Sequence, residues 1–163
     1  MNIAVRLVAN AAVCAISMLA ATPAFASDAS DVQATVERWV VNINKGDFKS
    51  VIAACAPHAS IIDGFPPYAW QTCADWMHDY KANNKTIQAN LGTLSMGRPI
   101  YSELHGGHAY FIYPVTFTDT QKSQQVIYKG AMTMVLQKAQ SGWVITGQAS
   151  AWGVNTLQSL PKH

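Results

Sequence analysis

Ala59–Trp70 reads ASIIDGFPPYAW, and the reading of this stretch decides the fold. The β-branched pair Ile61 and Ile62 marks a short strand that ends in one carboxylate, Asp63. Gly64 and Pro66-Pro67 halt it, and Tyr68 and Trp70 lead into a helix. An acid at a strand end beside aromatic side chains is well placed to accept a proton from a bound molecule, so Asp63 is the candidate general base. A solvated Asp that closes a strand before a turn is the plainer reading of the same residues.

Upstream, residues 1–26 have the form of a secretory signal peptide. Arg6 gives the positive start, Leu7 to Ala21 the apolar core and Ala24-Phe25-Ala26 the cleavage site. The mature chain, 27–163, is then one domain, periplasmic or secreted. Nothing later supplies the roughly 18 unbroken apolar residues of a membrane span. The whole chain has 11 Lys and Arg against 9 Asp and Glu, a formal +2. Losing Arg6 lowers this by one, and no basic stripe remains for nucleic acid. With 50% hydrophobic and 12% charged residues, the chain suits an apolar cavity, an apolar self-association face or a rich core.

The apolar spacing predicts three helices. The first starts at a Ser30 cap, with Gln33 completing a capping box, and carries Val32, Val36, Trp39, Val40 and Ile43 on one face. Gly46 ends it, and Asp47 caps a second helix running to about Ala56, before Pro57. Thr72 caps a third through about Ala82. Cys55 and Cys73 both turn inward on these helices, which permits either a disulfide or two buried thiols. No paired His or Lys marks either one as catalytic.

From residue 87 onward the chain reads as strands: Ile87–Met96, Ile100–Leu104, His108–Thr118, Val126–Lys138 and Trp143–Gly153. Helices followed by a meander give the α+β class. On His108–Thr118 both alternating faces are apolar, so one meets the helices and the other is open to a second copy. Tyr110 and Tyr128 are expected to point at one cavity. No glycine-rich phosphate loop, HExxH, CxxC or GxSxG occurs, so no cofactor or metal is expected. His105 and His108, which straddle a Gly-Gly turn, are a weak metal signal.

From about Asp31 to Gly153 the chain resembles the nuclear transport factor 2-like superfamily, in its SnoaL-like and ketosteroid-isomerase-like branch. The marks are Lys45-Gly46-Asp47, Ala59–Asp63, Phe65-Pro66-Pro67 with Trp70, and Gly142–Gly147. The resemblance implies a cone: a curved antiparallel sheet wrapped over three N-terminal helices, with one pocket and a homodimer formed through the sheet. It matches Asp63 to the isomerase base, while the two oxyanion-binding positions hold Trp39 and Met132. Steroid isomerisation is therefore not implied. Tyr128, Tyr110 and His108 are the candidate donors, and Trp39, Tyr68, Trp70, Met132 and Trp152 the expected lining. The expected chemistry is cofactor-independent acid–base catalysis, as isomerase, cyclase or lyase, on a small apolar carbonyl, phenolic or polyketide-like molecule. The alternatives are a periplasmic binding or accessory module without catalysis, and a structural dimer with a filled core.

Overall fold

A helix whose apolar residues return every three or four positions buries one face. In the computed structural model, which describes residues 23–85, 92–121 and 124–159, that helix is α1 (Pro23–Lys45). Val32, Val36, Trp39, Val40 and Ile43 are all buried along it. The helix runs unbroken through Ser30, so the expected capping box does not form. Ala24, Ala26 and Ala29 propagate the helix readily, and Gln33 reaches forward, its Nε2 donating to Glu37 Oε1 at 2.8 Å. Pro23–Ala26 form the start of α1; the rest of the expected leader lies outside the described residues. Gly46, at φ 69°, ends the helix in a conformation that favours glycine.

Asp47 caps α2 (Phe48–Ala53) as expected, its Oδ1 accepting from Ser50 N at 3.2 Å. Bonds from the Ser50 hydroxyl and backbone hold the Asp47 carboxyl below its ordinary value. The helix stops earlier than expected, and Cys55 opens β1 (Cys55–Ile62) instead of closing α2. Pro57 is tolerated inside β1 because the pairing register is interrupted between Cys55 and Ser60. After β2 (Ala69–Trp70) comes α3 (Cys73–Lys85). Thr72 caps it by accepting from Asp75 N at 3.1 Å. Of the two cysteine readings the structure contains the disulfide: Cys55 and Cys73 are bridged across a Cα separation of 6.3 Å, tying β1 to α3.

The remaining strands are β3 (Thr93–Met96), β4 (Tyr101–His105), β5 (His108–Gln121), β6 (Gln124–Ala139) and β7 (Gly142–Ser159). Residues 87–91 of the first expected strand lie outside the described residues. The seven strands form one sheet in the order β2-β1-β7-β6-β5-β3, with β4 also on β5. It is a curved, mixed sheet in an α+β fold. One expectation is corrected: β1 runs parallel to β7, because all of α3 and the β3–β6 meander lie between them as a crossover. Asn44 fastens α1 to β3, its Nδ2 donating to Leu94 O at 2.7 Å and its Oδ1 accepting from Leu94 N at 2.9 Å.

The helices cover one face of this sheet. Against them lie Phe111, Tyr113 and Val115 of β5, Met132, Met134 and Leu136 of β6, and Ile145 of β7, all buried. Tyr113 keeps its hydroxyl here without a hydrogen-bond partner among the described residues. Burial, with a smaller contribution from Glu37, pushes the phenol well above its ordinary pKa.

Candidate functional site

The turn after β1 builds the site. Asp63 N donates to Tyr68 O at 3.1 Å and Tyr68 N to Phe65 O at 2.8 Å, closing a tight loop over the glycine and the prolines. Tyr68 takes φ 71°, which is costly for a non-glycine residue. The loop holds Asp63 half-buried at the sheet edge, where three N–H groups reach its carboxylate. Oδ1 accepts from Gly64 N at 2.7 Å and from Trp152 Nε1 at 3.2 Å. Oδ2 accepts from Trp76 Nε1 at 3.1 Å. An indole on each oxygen fixes the plane of the carboxylate.

Those indoles are themselves fixed. Trp76 of α3 stacks on Trp39 of α1, with ring centroids 5.6 Å apart at 16°. Trp152 of β7 leans on Phe117 and lies so close over Gly64 that a Cβ there would sit 2.9 Å from Trp152 Cδ1. Position 64 therefore admits no side chain without moving the indole that holds Asp63.

Beside Asp63 opens a cavity of about 220 Å³. Its apolar wall comprises Trp39, Ile43, Phe65, Trp76, Leu94, Phe117, Met132 and Trp152, and its polar groups include Asp63, Asp119, Tyr128, Gln148 and Ser150. Asp119 and Gln148 are buried. Among the described residues no cluster of His, Cys, Asp or Glu is arranged to hold a metal ion.

Of the nine residues singled out in the sequence, Asp63, Tyr128, Trp39, Met132 and Trp152 line this cavity. The other four do not. The β5–β6 register sets Tyr110 opposite Val135 and Phe117 opposite Tyr128, so even positions of β5 share a face with odd positions of β6. Tyr110 and Tyr128 consequently point to opposite sides of the sheet, and Tyr110 packs edge-on against Tyr101 outside, 40% exposed. His108 is on that same outer face and exposed. Tyr68 is turned outward and is 57% exposed. Trp70 is buried behind Phe65, with centroids 4.8 Å apart, and donates Nε1 to Asp79 Oδ2 at 2.8 Å. That bond first, and one from His78 second, hold the Asp79 carboxyl below its ordinary value.

Trp76, Asp119 and Gln148 were missed. Trp76 lies one turn along α3 from Cys73, which was expected to turn inward, so the spacing contained it. Asp119 is the next inward position after Phe117, had the strand been continued past Thr118. Gln148 was concealed by a bulge: β7 pairs Ile145 with Leu136 but Gly147 with Val135, and this shift carries the inner face from odd to even positions.

A curved sheet over helices with a cavity at one end defines a class, the nuclear transport factor 2-like fold. Within it the chain belongs to the SnoaL-like domain family, whose pattern matches residues 32–151. Solved structures share the fold at low identity. A putative scytalone dehydratase from Novosphingobium aromaticivorans is 7% identical, with 84% of this chain and 91% of that one covered and a TM-score of 0.70. A type 2 hexachlorocyclohexane dehydrochlorinase, LinA, is 10% identical over 83% and 91%, at 0.69. A substituted form of Rv3472 from Mycobacterium tuberculosis, a protein of unknown function, is 15% identical over 78% and 77%, at 0.66. No curated protein matches the chain in sequence.

Proposed function

We propose that the cavity binds a small, flat, largely apolar molecule and that Asp63 abstracts a proton from it without a cofactor, in an isomerase, cyclase or lyase reaction. The observation that carries this reading is the clamped carboxylate on an apolar wall. A carboxylate oxygen has two lone pairs. Among the described residues, Oδ1 has both engaged, by Gly64 N and Trp152 Nε1, whereas Oδ2 has one engaged, by Trp76. The open lone pair of Oδ2 is the one that receives the proton. Tyr128, on the sheet side of the cavity, carries the hydroxyl that returns one. The cavity of about 220 Å³ exceeds the roughly 150 Å³ of an apolar cavity that takes up benzene, which suits a molecule of one or two rings. A dehydratase and a dehydrochlorinase among the fold relatives add to the plausibility of proton abstraction.

The test is Asp63→Asn, which keeps the shape and removes the basicity. On a substrate found by native mass spectrometry of the purified protein, turnover is expected to fall by about 10²-fold or more while affinity holds. Unchanged turnover removes Asp63 from the mechanism. A pocket that binds without transforming its ligand is the second reading, favoured by how heavily the carboxylate is already bonded. Under it no member of an aromatic or polyketide-like library is turned over by the wild type. We further propose export across the inner membrane and a homodimer formed through the outer sheet face around Tyr110 and Ile112. Sedimentation showing a monomer at micromolar concentration would end the dimer.

A further inference from the structure

Gln148 is a polar side chain that the proposed proton transfer does not use. It is 3% exposed and stands on the cavity wall. Its Nε2 donates to Ser150 Oγ, while its Oε1 is buried with no hydrogen-bond partner among the described residues. A buried acceptor left unpaired is unfavourable unless something else supplies the proton. The chain places it next to the reaction centre: β1 and β7 pair Ile61 with Gln148 and Ile62 with Ala149, and Asp63 follows directly. Ser150 already accepts from the amide nitrogen.

We infer that Gln148 Oε1 accepts a hydrogen bond from a hydroxyl on the bound molecule, so the ligand class is a hydroxylated aromatic or enolic ring rather than a plain hydrocarbon or an unadorned ketone. This rests on the reading of the cavity as a small-molecule site. The Ser150 contact engages the amide nitrogen, and the parity shift at the β7 bulge puts the Gln148 side chain on the inner face. A hydroxyl held by Gln148 sets the ring beside Asp63. Gln148 is thus a specificity-determining and positioning residue, with no proton passing through it.

The experiment compares naphthol with naphthalene, titrated calorimetrically into the purified protein. Naphthol is expected to bind about tenfold more tightly than naphthalene, the scale of one hydrogen bond to a buried acceptor. In Gln148→Met, close in shape and without the acceptor, the two are expected to bind within about twofold of each other, with naphthalene no weaker than before. A second measurement needs no variant: the Gln148 side-chain amide resonances of the wild type shift with naphthol and stay put with naphthalene. If neither compound binds, the small-molecule reading falls and takes this inference with it. If both bind equally, or the preference for naphthol survives in Gln148→Met, or the amide resonances ignore naphthol, the cavity reading stands and the role of Gln148 is overturned.

Discussion

The two ends of the concave interior use the same elements for different ends. Towards one end, α1 presents Val32 and Val36 and the sheet answers with Met134, Leu136 and Ile145, all essentially fully buried. Towards the other, α1 presents Trp39 and Ile43, and the sheet answers with Met132, Phe117 and Trp152 around a cavity. Branched and flexible aliphatic side chains interdigitate to crystal-like density. Flat indoles stacked on one another and hydrogen-bonded to a carboxylate hold their positions without filling the space between them. The closed end is stabilised by contact, the open end by orientation, and substitutions at the two should fail in different ways.

The largest expected effect is at the closed end. Leu136→Ala should lower the unfolding free energy by about 2–5 kcal/mol, the usual range for a buried Leu, while any ligand still binds the protein that remains folded. Chemical denaturation followed by circular dichroism measures the first, and titration the second. A loss below about 1 kcal/mol would mean that the closed end is not the better-packed half.

Next comes the disulfide that ties β1 to α3. Cys55 and Cys73 are separated by 18 positions, and the loop they close contains Asp63. Replacing both with Ala should cost roughly 3 kcal/mol on the loop-entropy account. It should also loosen the grip of Trp76 on Asp63, seen as a shift of the Trp76 indole N–H resonance. An unmoved resonance would show that stacking on Trp39 suffices to hold it.

Gly64→Ala sharpens the comparison, because it acts on orientation with little change in buried area. The added methyl meets Trp152 Cδ1 at 2.9 Å and must displace the indole, so ligand affinity should fall about tenfold, in line with the roughly 1–3 kcal/mol of an overpacked site. Full affinity would mean that Trp152 yields without disturbing Asp63.

The smallest effect concerns Asp79, whose carboxyl sits below its ordinary value through Trp70 and His78. A lowered folded pKa means that this contribution is fully present above the unfolded value, near 3.9, and is lost as pH falls through the folded one. Thermal unfolding should therefore be insensitive to Asp79→Asn in acid below that range and sensitive to it, slightly, from pH 5 upward. The opposite order would contradict the bond to Trp70.

Much of this was readable in the residues. The stripe of α1, the caps at Asp47 and Thr72, the inner face of β6 and the strand-end position of Asp63 depend on neighbours a few positions away, and local spacing determines them. What could not be read depends on register. Whether Tyr110 shares a face with Tyr128 is decided by how β5 is offset against β6, and an offset of one residue reverses the answer. Likewise Gln148 reaches the cavity because of one bulge in β7, a feature set by the curvature of the whole sheet. The parallel pairing of β1 with β7 joins segments more than 80 positions apart, beyond any periodicity.

The stack of Trp39 on Trp76 has an optical consequence. Two indoles with centroids 5.6 Å apart and nearly parallel are close enough for their ultraviolet transitions to couple, so the folded protein should show a split circular-dichroism band that originates at the floor of its cavity. A flat guest sliding against that floor changes the local polarisability and the coupling with it. The molecule thus contains its own label-free sensor of occupancy, readable in a cuvette before any reaction has been identified.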